Sequence, residues 1–227
     1  MTPKICVSIL PKNSQEAISL IKNAEGAKAD LIEVRLDLFD VNTNLREIVD
    51  CASTPLIGTH KLASEKGFSS ATQEQKQEML GSAAQSGFEY VDIDLSSPNL
   101  QGVIDKFRDT SAKLIVSYHK FDGTLSRAAL ERILEQEIAA SASVCKVVVS
   151  ARKIDDNLAI LNFVASHSGK VKLVSHCMGE AGKISRLLSP MFGSFFAYAS
   201  LEKGDETAAG QMTINEMRTF YDLLGAK

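Results

Sequence analysis

The chain predicts one (β/α)8 barrel as a single domain over residues 1–227. Three observations predict it. Eight short apolar runs rich in β-branched residues alternate with amphipathic stretches of helical spacing from end to end. The repeat averages roughly 28 residues, within the size range of a closed eight-unit barrel. No Gly-x-Gly-x-x-Gly follows the first apolar run and no Walker-type glycine loop occurs, which argues against an open doubly wound sheet. No linker rich in Pro, Gly or Ser divides the chain.

The elements follow in order. KICVSIL (Lys4–Leu10) reads as the first strand, and Ser14–Ala27 as the helix behind it. DLIEVRLD (Asp30–Asp37) is the second strand, with Ile32, Val34 and Leu36 on one face and Glu33, Arg35 and Asp37 on the other. PLIGTH (Pro55–His60) is the third, followed by a helical stretch over Thr72–Ser86. EYVDIDL (Glu89–Leu95) is the fourth, with Ser97 or Asn99 as a helix cap beyond it. KLIVSYH (Lys113–His119) is the fifth, and Ser126 caps a helical stretch over Leu125–Ala139. VCKVVVS (Val144–Ser150), VKLVSHC (Val171–Cys177) and SFFAYA (Ser194–Ala199) complete the strands, and Thr213–Leu224 is the last helix.

Composition excludes several classes of function. The net charge is −3 with no basic runs, so nucleic-acid and anionic-membrane partners are not expected. No apolar stretch approaches the roughly 20 residues of a membrane span. The start MTPKICVSIL lacks a signal-peptide layout. The cysteines Cys6, Cys51, Cys145 and Cys177 form no Cys-x-x-Cys pair, which argues against zinc and thioredoxin-like sites. Thiols packed as small hydrophobes fit a reducing cytoplasm.

The most telling residue is Lys146, alone in an apolar strand. Burying an unpaired ammonium is costly, and loss of its proton is the usual escape. A neutral, desolvated lysine is a nucleophile toward carbonyl carbon. The competing reading is a structural lysine whose stem snorkels to water from a strand end. In a barrel, the active site gathers at the C-terminal ends of the strands. Parity then directs the charged face of the second strand, Glu33 and Arg35, into the interior or its mouth. His119 ends the fifth strand, where a histidine suits acid–base work. Asp92 and Asp94 share a face of the fourth strand and are candidate counter-charges for Lys146 or Arg35. The run MGEAGKISR (Met178–Arg186) sets two glycines and Arg186 at the start of a helix, a receptor for carboxylate or phosphate. The loop KGDETAAGQ (Lys203–Gln211) is small and polar, with the character of a mobile lid or a surface loop.

These residues in this order resemble the type I 3-dehydroquinate dehydratases. The carriers are EVRLD at Glu33–Asp37, SYHKF at Ser117–Phe121, Lys146, MGEAGKISR with FGS at Phe192–Ser194, and TAAGQ at Thr207–Gln211. The resemblance implies a barrel enzyme of the shikimate pathway, without metal or organic cofactor and commonly a homodimer. It implies syn elimination of water from 3-dehydroquinate, with Lys146 forming a Schiff base and His119 acting as acid and base. By the same resemblance Glu65 orients His119, and Arg186, Gln211 and Thr207 hold the substrate carboxylate. Glu33, Arg35 and Lys61 meet the ring hydroxyls, and Ser8 lines the pocket. The chain departs from the family pattern at four positions. Lys61 stands in place of arginine, Ala209 in place of proline, Lys120 in place of aspartate, and His176 in place of methionine.

Two other functions fit parts of the pattern. A class I aldolase acting on a phosphorylated sugar also needs a lysine on the sixth strand, and would hold phosphate after strands seven and eight. A non-catalytic barrel that binds a metabolite would need no general base. The Glu33 and Arg35 pair with His119 fits a carboxylated polyol better than a phosphorylated sugar, and the number of ionisable residues directed at the mouth argues against a non-catalytic barrel.

Overall fold

A computed structural model describes residues 2–226, and they form a (β/α)8 barrel. The strands are β1 (Ile5–Ile9), β2 (Leu31–Arg35), β3 (Leu56–Thr59), β4 (Tyr90–Asp94), β5 (Lys113–His119), β6 (Val144–Ser150), β7 (Leu173–Met178) and β8 (Ala197–Ala199). The helices are α1 (Ser14–Gly26), α2 (Arg46–Cys51), α3 (Gln73–Ser86), α4 (Leu100–Asp105), α5 (Arg127–Ala139), α6 (Asp156–His167), α7 (Lys183–Leu188) and α8 (Ile214–Leu223). All strand pairings are parallel, in the order β7-β6-β5-β4-β3-β2-β1-β8. A backbone bond from Phe195 N–H to the Leu173 carbonyl, 2.8 Å long, links the start of the last turn of sheet to β7.

The expected eighth strand, Ser194–Ala199, is shorter in the structure. Ser194 instead closes a turn on Ser189, and only Ala197–Ala199 pairs with β1. Helices α2, α4 and α7 have six residues each, too few turns to leave a clear 3.6-residue period. Ser126 caps α5 by accepting from Ala129 N–H. Asn99 occupies the cap position of α4 but makes no side-chain cap bond, because it sits in the left-handed region at φ 51°.

Side chains alternate across every strand, so each strand feeds two cores. Ile32, Val34, Val91, Val116, Val147 and Val149 face outward and pack under the helices. The inward residues change character along the barrel. At the N-terminal end, Cys6, Leu31, Ile57, Tyr90, Ile115, Val144, Val174 and Phe196 form an apolar plug. One step further along the same faces come Ser8, Glu33, Thr59, Asp92, Ser117, Lys146, His176 and Tyr198, all buried. The plug keeps water out from below. The polar row therefore opens only toward the C-terminal mouth.

Candidate active site

A cavity of about 600 Å³, including its open mouth, lies on that polar row. Its walls include Glu33, Arg35, Lys61, Glu65, His119, Lys146, His176, Arg186, Thr207 and Gln211. Ser8 reaches the same site through its bonds to Glu33 and Thr207. The structure thus brings the sequence-predicted residues together at the expected end of the barrel.

Lys146 is buried but not unpaired. Its Nζ donates to Asp92 Oδ2 at 2.8 Å and to Tyr198 Oη at 3.1 Å, and lies 3.8 Å from Glu33 Oε1. It also sits 4.5 Å from the centre of the Tyr198 ring. Carboxylates and an aromatic face thus compensate the burial, whereas the apolar strand taken alone pointed to a neutral amine. Asp92 is fully buried and also accepts from Lys61 Nζ at 2.9 Å and Ser117 Oγ at 2.7 Å. Burial opposes its charge, but Lys146 and Lys61 outweigh that and hold its carboxyl well below the usual range.

Lys61 spans two carboxylates, with Asp94 Oδ2 at 3.6 Å as the second. Burial would lower its pKa, yet Asp92 and Asp94 raise it above the ordinary lysine value. Lys61 is thereby a fixed positive charge beneath His119. Arg35 is engaged with Asp37, through Nε to Oδ1 at 3.1 Å and one terminal nitrogen to Oδ2 at 2.5 Å. Glu33 accepts from Ser8 Oγ at 2.5 Å and Thr59 Oγ1 at 2.9 Å.

His119 stands at the rim, with Nδ1 3.8 Å from Asp94 Oδ2. Burial pushes its pKa down; Asp94 pulls it back up, and Lys61 and Lys146 push it down again, leaving it at about 4. The imidazole is therefore neutral at neutral pH, the form a general base needs. Asp94 is itself anchored by Ser96, whose N–H and Oγ both donate to Oδ1 at 2.9 and 2.5 Å.

The structure pairs Glu65, which the family resemblance sets beside His119, with Lys76. Both Glu65 oxygens accept from Lys76 Nζ, at 2.6 and 2.7 Å, and one also accepts from Leu62 N–H. The cause is local. A single 3-10 turn, Ala63–Glu65, folds the carboxylate back on its own start, and the ammonium of Lys76, only 2% exposed on α3, requires a counter-charge. Glu65 remains on the cavity wall, while Asp94 is the carboxylate beside His119.

Arg186 differs from the other cations. It is 2% exposed, its Nε has no hydrogen-bond partner among the described residues, and its bond is to the Ala209 carbonyl at 3.3 Å. Burial pushes its pKa down to about 10. Arg35, Lys61 and Lys146 have carboxylate partners, so Arg186 is the cation suited to an incoming anion. The loop carrying Ala209 is pinned across the barrel. Thr207 Oγ1 donates to Ser8 Oγ at 2.9 Å, Thr207 N–H donates to Gln211 Oε1 at 2.8 Å, and Gly179 N–H donates to Ala209 O at 3.0 Å. Gly210 permits that fit. It sits at φ 78°, and a Cβ there would lie 2.3 Å from the Gly179 carbonyl oxygen. The segment is thus tied to β1, to the turn after β7 and to α7 rather than free as a surface loop.

Sequence reasoning missed Tyr198, Asp94 as the partner of His119, and Lys76. Tyr198 on β8 was detectable, because it shares inward parity with Phe196 just before that strand. Lys76 was not, since its burial depends on how α3 lies against the loop after β3.

Comparison with known proteins gives a consistent picture. The family model described as Type I 3-dehydroquinase matches residues 5–227. A 3-dehydroquinate dehydratase of Dehalococcoides mccartyi is 36% identical over 219 residues, covering 96% of this chain and 95% of that protein. The crystal structure of the 3-dehydroquinate dehydratase from Aquifex aeolicus superposes with a TM-score of 0.80 at 29% identity, over 97% of this chain and 98% of that one. The enzyme of the same name from Geobacillus kaustophilus superposes with a TM-score of 0.90 at 24% identity, over 98% and 91% of the two chains, and shows the shared fold.

Proposed function

The chain belongs to the type I 3-dehydroquinase family, and from that premise we propose that it is a hydro-lyase converting 3-dehydroquinate to 3-dehydroshikimate through a Schiff base on Lys146. The observation that carries this reading is the grouping of Lys146, neutral His119 and carboxylate-free Arg186 around one cavity.

The chemistry follows from these positions. The substrate carboxylate binds Arg186, with Gln211 and Thr207 beside it, and directs the C3 ketone toward Lys146. Lys146 loses a proton and its nitrogen attacks C3. Departure of the ketone oxygen as water leaves an iminium, whose positive nitrogen acidifies the C2 proton. His119 takes that proton, and the C2–H electrons move toward the iminium to give an enamine. The enamine electrons return, the C1–oxygen bond breaks, and protonated His119 supplies the departing hydroxyl with its proton. Water then adds to the conjugated iminium and releases the product and the free amine. Glu33, Arg35 and Lys61 are the groups available to the ring hydroxyls, and Ser8 supports Glu33. Neither the aldolase reading nor the non-catalytic reading draws support from a family match this complete.

Borohydride reduction in the presence of 3-dehydroquinate tests the proposal. The expected result is a mass increase located on Lys146, absent from Lys146→Ala, together with a fall in kcat of about 10²–10⁴ in His119→Ala. Full turnover by Lys146→Ala would sink it. Placement in aromatic amino-acid biosynthesis, a homodimeric state and a cytoplasmic setting belong to the same proposal. The free, mostly buried thiols of Cys6, Cys145 and Cys177 support a reducing compartment.

A further inference from the structure

His176 forms part of the cavity wall, yet the elimination outlined above gives it no task. Register places it with care. His119 pairs with Val148 across β5 and β6, and Val148 pairs with His176 across β6 and β7. Both histidines therefore lie on one row of the sheet, about 10 Å apart across two strand spacings. The row beneath carries Ser117, Lys146 and Val174 in the same succession. Lys146 thus sits one inward step below and between two imidazoles, with His119 on its β5 side and His176 on its β7 side.

The ring is 97% buried, since only 3% of the residue is exposed. Its Nδ1 is sealed and has no hydrogen-bond partner among the described residues. A neutral imidazole has one N–H donor and one lone-pair acceptor, and a sealed N–H without an acceptor is the costlier of the two to leave unpaired. The proton therefore sits on Nε2, the ring nitrogen left to the cavity. Burial, then the charges of Arg186, Lys146 and His119, hold the ring in its neutral form. Tyr198 packs against it with ring centres 6.2 Å apart and fixes its orientation, while the Tyr198 hydroxyl accepts from Lys146. Arg186 follows β7 on α7 and faces the same cavity. His60 provides the contrast. Both of its ring nitrogens are sealed, it lies on the outward parity of β3, and it is not part of the cavity wall.

We propose that His176 is a substrate-positioning residue whose Nε2–H donates to an oxygen of the substrate's carboxylate, beside Arg186 on the β7 side of Lys146. The assignment rests on the proposed dehydratase reading, because that reading supplies the carboxylate. A neutral donor suits this place. A second charge next to Arg186 and Lys146 would raise the cost of an already cationic pocket, whereas an N–H adds direction without charge.

Steady-state kinetics of full-length His176→Met, His176→Ala and His176→Gln test it with 3-dehydroquinate. The expected result is a KM about tenfold higher in the Met and Ala variants, the loss typical of one missing hydrogen bond. kcat stays within about threefold and the acid limb of kcat keeps its position. His176→Gln, which retains a donor, recovers part of the KM. An unchanged KM in all three variants with wild-type circular dichroism overturns the proposal. A loss confined to kcat with a displaced pH profile also overturns it, because His176 would then be moving a proton. Wild-type protein labelled with nitrogen-15 at histidine provides a route that needs no variant. The His176 Nε2 resonance shifts when the borohydride-trapped adduct forms, and a resonance that stays in place overturns the assignment. Absence of wild-type turnover would instead sink the dehydratase reading itself, so the two failures are distinguishable.

Discussion

At the scale of single residues, charge pairing determines what each group of the site can do. Asp92 bonds Lys146 and Lys61 together, and Asp94 lies against both Lys61 and His119. Glu65 bonds to Lys76, and its charge still acts on Lys61. Asp94→Asn should therefore lower kcat by roughly tenfold to a hundredfold through misorientation of His119. Glu65→Gln should have the smaller effect, and turnover assays of the two variants compare them directly. The reverse order would restore the orienting role to Glu65. The pH dependence has a definite sign. His119 must be unprotonated to accept the C2 proton, so kcat/KM falls as pH drops through about 4. Lys61 is one of the charges that keeps that value low. In Lys61→Met the acid limb should move upward, toward the ordinary histidine range, and a kcat/KM profile from pH 3 to 8 measures it.

At the scale of elements, strands supply the chemistry and helices supply its support. One element carries an apparent fault. Glu137 on α5 faces β6 behind Lys146, is fully buried, and has no paired cation among the described residues. Burial pushes its pKa up to about 9, with Asp92 and Asp94 adding to the rise and the Lys146 N–H and charge opposing it. The folded protein therefore holds a neutral acid there. Its folded pKa lies above the unfolded one, so its contribution to stability is complete below about 4.5 and declines as pH rises toward about 9. Glu137→Gln cannot ionise. Melting temperatures should show the variant gaining steadily on the wild type between pH 5 and pH 9. A constant difference across that range would mean that Glu137 does not ionise on unfolding. The short helices α2, α4 and α7 show the limit of sequence reading at this scale. With six residues each, they are held by what they pack on rather than by a pattern of their own.

At the scale of the whole molecule, the barrel has an apolar plug at one end and a cavity lined by several cations at the other. Arg186 is held there at full burial without a carboxylate partner among the described residues, a cost that an anionic ligand offsets. Substrate-like carboxylates should therefore stabilise the fold. At a hundredfold excess over Kd the gain is about 2.7 kcal/mol, readable as a rise in melting temperature, and Arg186→Leu should abolish most of that rise. Much of this arrangement was legible in the chain. Alternation along DLIEVRLD placed Glu33 and Arg35 inside, eight strand–helix units announced the barrel, and the lysine in VCKVVVS marked the cavity at its mouth. Those features are local, since period and composition are properties of neighbouring residues. The partners were not local. Lys146 and Asp92 are separated by 54 positions, and Ser8 and Thr207 by 199. Only closure of the barrel brings such pairs within bonding distance. Closure therefore decided that Asp92 compensates Lys146 and that Thr207 reaches Ser8, while the packing of α3 on the loop after β3 decided that Lys76 captures Glu65.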